Sequence, residues 1–332
     1  MPNMPYKKKL SLLAAAAAVL ALVYGLTLFF DPARTNARNA VFTWLPPGAR
    51  DAADSVEISR GGGEPLSLVL RNGRWVTPLP PSGGENGAGG GALEVPVKQG
   101  RVDDLFRLLS ARGAFPRRGS SAASHENLGL GDGAARLVIR GGPGLPLLDL
   151  LVGKDDPSGD EVFLRKNGED VFRSGDRLIS SYVNGERTAW YDLRLFDGTA
   201  LDDVQRVGVN FAGSEGNVNY RVVRSGDGWT FEGGEPIAGK DKVESWIRDV
   251  LEAQGEDFVP PGDFTAADEI RMELGDGSSL VLRIGPPPPS AAGEDPAPEG
   301  GPRSAMAGGK PYGFTLSPWT VSRLLREPGY FR

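Results

Sequence analysis

The sequence contains no cysteine among its 332 residues. No disulfide, no thiolate nucleophile and no cysteine-based zinc or iron–sulfur site is therefore available, and lipid attachment through a cysteine is excluded. The folded part must then be stabilised by an ordinary hydrophobic core. About 300 residues suit one large domain or two domains of average size.

Histidine is almost absent. The one histidine, His125, lies in the polar stretch SSAASHENLG, which predicts a surface loop. A single histidine cannot form a histidine-based metal cluster, and no serine near it fits a nucleophile-elbow pattern. His125 would join a catalytic triad only through tertiary contacts, so a surface side chain is the preferred interpretation.

Clustered carboxylates do not indicate a metal site or a catalytic acid–base pair either. The four acidic residues in the range 155–161 lack the spacing of an EF-hand, and a solvated hairpin loop explains them better than a calcium site. The adjacent pairs Asp103–Asp104 and Asp202–Asp203 carry nothing that distinguishes an acid from a base. No catalytic residue, cofactor-binding residue or metal ligand is predicted, and no enzymatic motif is recognisable.

Basic residues do not outnumber acidic ones. The chain has 37 Lys and Arg against 43 Asp and Glu, a formal net charge of -6. Because binding to phosphate backbones needs a concentrated basic face, no nucleic-acid partner is predicted. No cofactor and no small-molecule ligand is predicted either.

Glycine (47 residues) and proline (27 residues) are concentrated in two segments. Residues 78–91 and 285–309 contain almost no side chain able to bury area, so both are predicted to be mobile loops. The first segment is not followed by Gly-Lys-Ser/Thr, which argues against a phosphate-binding P-loop.

Long apolar runs are confined to the N-terminus. An uncharged run, Leu10–Phe30, follows three lysines and would extend about 32 Å as a helix, enough to cross a bilayer. Since positive charge beside a span stays cytoplasmic, we predict cytoplasmic residues 1–9, one transmembrane anchor at 10–30, a linker at 31–53 and an extracytoplasmic body. The alternative is a cleaved signal peptide ending near Val23-Tyr24-Gly25.

The body contains an internal repeat. A first unit, 54–196, and a second unit, 197–332, each combine a β-hairpin, an amphipathic helix, further strands and a short closing helix. Trp75 aligns with Trp229, and both are predicted to be core anchors rather than ligand platforms. The predicted fold class is α+β: one N-terminal transmembrane helix followed by two repeated units of antiparallel or mixed β-sheet, each with a packed amphipathic helix.

Local patterns define the pieces of each unit. Alternating β-branched residues and the turn formers Asn72-Gly73, Asp227-Gly228 and Asp276-Gly277 predict antiparallel hairpins. Apolar residues at three- and four-residue spacing predict helices at 99–112 and 241–254.

Each unit ends in a shorter amphipathic stretch. Asp176–Val183 and Ser317–Leu325 are predicted to be closing helices that cover the sheet, the second with Ser317 as N-cap and Pro318 at its first position. In the alignment of the units, EVFLR of the first corresponds to YGFTL of the second.

The order of these pieces resembles a known family. The VEI strand, the NGRW turn, the helix, the later strands and the closing helix, followed by YDLRLF and DVQRVGV, resemble the bacterial domain-of-unknown-function 4340 family over roughly Asp51 to the C-terminus. The resemblance implies a single N-terminal anchor in the bacterial inner membrane. For some relatives it also implies an auxiliary role in gliding-motility-type ABC transport systems. The two long Gly/Pro-rich insertions depart from the family pattern, and no functional residue carries over.

Two functions follow as hypotheses. The first is a membrane-tethered, extracytoplasmic interaction module without enzymatic activity, an accessory subunit of an ABC-type export or motility complex with membrane proteins as partners. The second is an extracytoplasmic enzyme or ligand-binding protein that acts on envelope polysaccharide. The second requires a deep pocket with paired carboxylates of shifted pKa.

Overall fold

The computed structural model describes residues 6–29, 41–79, 93–144, 146–213, 216–260, 264–288 and 301–332. Its α-helices are α1 (Tyr6–Phe29), α2 (Ala49–Ala52), α3 (Gln99–Ser110), α4 (Ala122–Asn127), α5 (Leu178–Asn184), α6 (Lys240–Leu251) and α7 (Pro318–Leu324). Short 3₁₀ turns occupy Arg187–Trp190, Leu201–Asp203 and Pro328–Phe331.

The strands in the first half of the chain are β1 (Val41–Phe42), β2 (Ser55–Ser59), β3 (Leu66–Arg71), β4 (Arg74–Pro78), β5 (Glu94–Pro96), β6 (Gly113–Ala114), β7 (Arg117–Gly119), β8 (Ala135–Arg140), β9 (Leu148–Asp155), β10 (Glu161–Lys166) and β11 (Phe172–Asp176). Those in the second half are β12 (Val204–Gly213), β13 (Gly216–Ser225), β14 (Gly228–Phe231), β15 (Asp257–Val259), β16 (Asp268–Leu274), β17 (Ser279–Ile284), β18 (Arg303–Ala307) and β19 (Gly313–Leu316).

The strands form three sheets. The smallest is the ribbon β1-β6. A nine-stranded sheet has the order β5-β4-β3-β2-β8-β9-β10-β11-β7, and an eight-stranded sheet has the order β14-β13-β12-β16-β17-β18-β19-β15. The run from β4 to β11 and the run from β14 to β19 connect their strands in the same order.

The predicted α+β fold class is wrong, because the described part of the chain is mostly β-sheet with short helices. Beyond α1, the longest helices are α3 and α6, each with 12 residues. The sequence underestimated the sheet because β5, β7, β15 and β18 are too short or too poor in β-branched residues to show a period of two.

The N-terminal helix forms, but its predicted role as a membrane anchor is contradicted. In the part of the chain that the structure describes, no helix has both the length and the apolar character that crossing a membrane requires. This finding overturns the single-pass anchor at 10–30 and the predicted inner-membrane location with an extracytoplasmic body.

Grouping residues by which Cα atoms lie close together in space divides the chain into two compact units, which are described separately. The first unit comprises residues 1–70 and 100–185, and the second comprises residues 71–99 and 186–332. The domain boundaries at 54–196 and 197–332 stay a prediction.

In the first unit, helix α3 carries the predicted apolar stripe. Val102, Leu105, Phe106 and Leu109 are all buried, which confirms the helical period of this segment. The helix ends at Ser110 rather than at the predicted residue 112.

A second apolar cluster of the first unit forms around Leu151 of β9. Leu151 points to the opposite side of its strand from Leu150 and Val152 because side chains alternate along a strand. It packs with the buried residues Leu130 and Phe172. Leu151 is therefore buried on the side of β9 opposite Leu150 and Val152.

In the second unit, helix α6 carries the other predicted stripe, with Val243, Trp246, Ile247, Val250 and Leu251 buried. The predicted core anchors Trp75 and Trp229 are confirmed as well, with 0% and 3% of their surface exposed.

The sequence located one of two hairpin turns correctly and displaced the other by one residue. Asn72 and Gly73 have φ of 51° and 78°, as the predicted two-residue turn requires. The other turn lies one residue earlier than predicted, because Ser225 pairs with Gly228 and the positive φ of 56° falls on Gly226.

Strand β18 lies inside a segment predicted to be a loop, residues 285–309. It pairs with β17 and β19, and its Ala305 and Ala307 are almost completely buried. By strand order β18 corresponds to EVFLR of the first unit, and β19 corresponds to β11, so the predicted alignment was displaced by one strand. Residues 80–91 and 289–300 of the predicted loops lie outside the described residues.

Candidate interaction surface

The sole histidine is buried, contrary to the prediction of a surface loop. His125 lies in α4 and is 8% exposed. Its Nε2 is 2.7 Å from the carbonyl oxygen of Asp170, and its ring meets the edge of Phe172 at 5.8 Å. The overlooked signal is Ser121, whose side chain caps the helix by accepting from a backbone N–H. His125 therefore packs as a core side chain.

The acidic residues at 155–161 form a solvated hairpin, as predicted. Asp156 accepts hydrogen bonds from Ser158, and Asp155 forms an ion pair with Arg177 at 3.1 Å. Within the described residues, no group of three or more histidine and carboxylate side chains could hold a metal ion.

Shifted carboxyl pKa values in the described residues all move in one direction. Hydrogen bonds from arginine or serine side chains are the main cause that holds the pKa below its ordinary value at Asp149, Asp156, Glu161, Asp192 and Asp276. A general acid for polysaccharide hydrolysis needs a carboxyl group with a raised pKa. None of these five carboxyl groups meets that requirement.

Helix α7 presents a tryptophan to solvent. The side chain of Ser317 accepts a backbone hydrogen bond at 3.1 Å and Pro318 takes the first helical position, which confirms the predicted cap. This start places Val321 and Leu324 on the inner face, 7% and 1% exposed. Trp319 points outward and is 62% exposed, more than any other large apolar side chain described outside α1.

The inner face of α7 is fixed by α6. Trp246 of α6 is 1% exposed, and its Nε1 donates a hydrogen bond of 2.9 Å to the carbonyl oxygen of Leu324. Phe331 packs against the same indole with ring centroids 5.2 Å apart. Rotation of α7 about its axis would break this buried hydrogen bond, so the outward direction of Trp319 is fixed.

Arg323 holds the exposed tryptophan in one orientation. One helical turn beyond Trp319, its guanidinium carbon lies 4.5 Å from the centroid of the Trp319 ring, within the range of a cation–π interaction. The same guanidinium forms an ion pair with Asp249 of α6. A partner that packs onto Trp319 would therefore lose little side-chain entropy from this surface.

A groove of about 250 Å³ opens beside Trp319. We call this groove the Trp319 surface, and it is lined by Asp249, Glu252, Ala253, Gln254, Trp319, Thr320, Arg323 and Leu324. Glu252 is exposed, and no basic group in the described residues lies within ion-pair distance of it. Two carboxylates and one guanidinium line the groove, so its local charge is negative.

A larger depression of about 490 Å³ adjoins the Trp319 surface, since Glu252 and Gln254 line both. It adds the side chains of Phe196, Arg194 and Arg248. Arg194 donates two hydrogen bonds to Asp192, at 2.8 and 2.5 Å, and thereby lowers the pKa of that carboxyl group. The two openings thus share Glu252 and Gln254, and the larger one brings two further guanidinium groups beside the Trp319 surface.

Comparison with known proteins gives no match. No protein-family model matches the chain. Neither the curated proteins nor the solved structures contain a significant match. The resemblance to the domain-of-unknown-function 4340 family therefore stays a prediction, and the interpretation of the Trp319 surface depends on its geometry.

The sequence analysis predicted no functional residue and so missed this surface. It assigned SPWTVSRLL to a helix that covers the sheet, which is correct for the inward residues Val321 and Leu324. The missed signal is the spacing of Trp319 and Arg323, four residues apart on the opposite face of that helix. Tryptophan and arginine, here side by side on the polar face of the helix, are residue types enriched at protein interfaces.

Proposed function

We propose that this protein is an interaction module that binds a partner protein through the Trp319 surface. The observation that carries the proposal is the exposure of Trp319 together with its fixed orientation on Arg323 and Asp249. Tryptophan and arginine are the residue types that most often dominate binding energy at protein interfaces.

The charged groups of the Trp319 surface determine which side chains a partner segment must carry. Glu252 is exposed and forms no ion pair within the described residues, while Arg323 is already paired with Asp249. The complementary ligand is a protein segment that places an apolar side chain against Trp319 and a lysine or arginine beside Glu252. We propose that this partner is a component of a larger assembly to which the protein is an accessory subunit.

The test begins with purification of the tagged full chain from its native cells. Proteins that accompany the wild type are identified, and the binary affinity of each is then measured with purified components. The Trp319→Ala variant is expected to weaken the binding of the true partner about 30-fold, since truncation of a central anchor costs roughly 2 kcal/mol.

The matched control is Leu178→Ala in α5, because Leu178 is 56% exposed but lies outside the Trp319 surface. This variant is expected to bind as the wild type does. Recovery of the chain alone, or equal affinities for the Trp319 and Leu178 variants, contradicts the proposal. The co-purified proteins also test the predicted ABC-type export or motility complex, because such a complex contains an ATP-hydrolysing subunit.

A further inference from the structure

A row of four side chains crosses the large sheet of the first unit. Ser59 of β2 pairs with Arg136 of β8, Arg136 pairs with Leu151 of β9, and Leu151 pairs with Arg165 of β10. Residues directly opposite each other in neighbouring strands point to the same face. The two arginines therefore flank Leu151 on one face, two strand spacings apart, or about 10 Å between backbones.

Two glycine-rich loops form the rim above this row. Residues 60–63 follow β2 and residues 131–133 precede β8, and these ends of the antiparallel strands meet at one end of the sheet. The backbones come close, since a Cβ atom added to Gly61 would lie 3.7 Å from the carbonyl oxygen of Gly133. Because the loops carry few side chains, they leave a depression of about 330 Å³ open over the row.

Protein acceptors orient all three guanidinium groups that line this depression, those of Arg136 and Arg60 among them. Arg136 donates to both carboxylate oxygens of Asp149, at 2.7 and 2.6 Å, and Asn167 donates to the same carboxylate at 2.9 Å. Arg60 donates to the carbonyl oxygens of Val183 and Gly185. Both side chains are therefore held in place without a ligand.

Arg165 is the cation whose charge is least compensated. It is half-buried and donates to the carbonyl oxygens of Leu130 and Glu169 at 2.8 and 2.9 Å. Its Nε is enclosed without an acceptor, and no described carboxylate lies within ion-pair distance of the group. Carbonyl oxygens satisfy the hydrogen bonds of a guanidinium but do not neutralise its charge, so a partly desolvated cation of this kind favours an anion beside it.

The charge of the side chains that line the depression also favours an anion. Its lining contains three guanidinium groups and one carboxylate, the exposed Asp132 on the rim. Asp149 forms an ion pair with Arg136. The lining itself carries two more guanidinium groups than carboxylates, although the net charge of the chain is -6.

We propose that this site, the Arg165 depression, binds a small oxyanion, namely a phosphate group that is free or carried by a larger molecule. Arg136 and Arg165 reach the anion from either side of Leu151. The glycine loops allow close approach of their backbone from above. A tetrahedral group uses donors from several directions, whereas a planar carboxylate uses one pair.

The test is isothermal titration calorimetry on the full chain with inorganic phosphate, pyrophosphate and phenyl phosphate, with acetate for comparison. Ionic strength is held constant with chloride. We expect a phosphate compound to bind with Kd below about 1 mM, and acetate at least about tenfold more weakly. Binding of inorganic phosphate indicates a free ligand, and binding of phenyl phosphate alone indicates a phosphate carried by a larger molecule.

Gly133 offers a matched pair of variants. A Cβ atom at Gly133 meets no atom within 4 Å, and the residue has no positive φ, so a side chain is accepted there. Gly133→Glu places a carboxylate at the rim and is expected to weaken phosphate binding at least about tenfold, whereas Gly133→Gln, of equal size and no charge, is expected to bind nearly as the wild type.

Arg165→Gln is the second variant to be tested. It is expected to bind phosphate at least about tenfold more weakly than the wild type. Its affinity is also expected to lose its dependence on salt concentration. Thermal unfolding of each variant shows that the fold is kept. Absence of binding by all three phosphate compounds overturns the proposal. Equal binding by the Glu and Gln variants at position 133 overturns it as well, because the anion would then lie elsewhere.

Discussion

Asp268 is a carboxylate enclosed within the second unit, where its side chain is only 3% exposed. One oxygen accepts from the backbone N–H of Ala212 at 3.1 Å, and the other pairs with Arg303. Arg303 also donates to the carbonyl oxygen of Gly285. This network fixes the start of β18, the strand that the sequence did not predict, to strands β12 and β16.

Removal of one partner of this ion pair should destabilise the second unit. Asp268→Asn leaves Arg303 buried without a counter-charge, and we expect the free energy of unfolding to fall by about 3 kcal/mol. The control is Glu269→Gln, whose ion pairs with Arg271 and Arg283 are exposed and should matter by less than about 1 kcal/mol. Urea denaturation measures both. Equal losses in the two variants would show that burial adds nothing to the pair.

Asp149 makes stability depend on pH in the acid range. The hydrogen bonds from Arg136 hold its pKa below the ordinary value in the folded state. The carboxylate therefore stabilises the fold above the unfolded-state pKa of about 3.9, and this contribution is lost as pH falls through the lower folded value. Asp149→Asn and Arg136→Met should both flatten the decrease in unfolding free energy between about pH 5 and pH 2. An unchanged slope in both variants would contradict this assignment.

At the scale of elements, the sequence was most informative where burial repeats at a regular spacing. The stripes of α3 and α6 and the turn at Asn72-Gly73 could be predicted because each depends on local periodicity or on a positive φ. Strand β18, with the sequence RSAMA, could not, since its burial depends on small side chains and on a distant ion pair. The outward direction of Trp319 follows from the packing of α6 against α7, which sequence spacing alone does not fix.

The cap of α7 offers a test at this scale. Ser317→Ala removes the acceptor for the backbone N–H of Thr320 and should cost about 1 kcal/mol of helix stability. Ser322→Ala, in the same helix, removes only a bond from the hydroxyl to the carbonyl of Trp319 and should be nearly neutral, because alanine favours helices. Amide hydrogen exchange in α7 is expected to accelerate only in the Ser317 variant. Equal exchange in the two variants would mean that packing on α6 alone maintains the helix.

At the scale of the molecule, each proposed site belongs to one unit. The Arg165 depression is built entirely from residues of the first unit, and the Trp319 surface entirely from residues of the second. The two units share an order of strands but differ in what they add to it: a glycine-rimmed row of arginines in one, a solvent-facing helix in the other. A repeated scaffold with different surfaces is compatible with two separate ligands.

The two Gly/Pro-rich segments should be dispensable for both folding and binding. Backbone hydrogen bonds hold the residues that flank them, 2.7 Å from Leu79 N to Leu93 O and 2.7 Å from Gly285 N to Ser304 O. Replacement of residues 80–92 and 289–300 by short Gly-Ser turns leaves these bonds in place. Since the composition of these segments predicts loops, each halving of their length is expected to raise the free energy of unfolding by about 0.6 kcal/mol, because less entropy is lost on closing a shorter loop.

Urea denaturation and calorimetry on the shortened chain test this expectation against a control in which residues 80–92 are scrambled at constant length. The scrambled chain should match the wild type in stability, and both chains should keep wild-type affinity for phosphate and for the partner of Trp319. A loss of more than about 2 kcal/mol on shortening would exceed any loop-entropy effect. The segments would then contribute buried contacts to the fold, although their Gly/Pro-rich composition predicts no buried contacts.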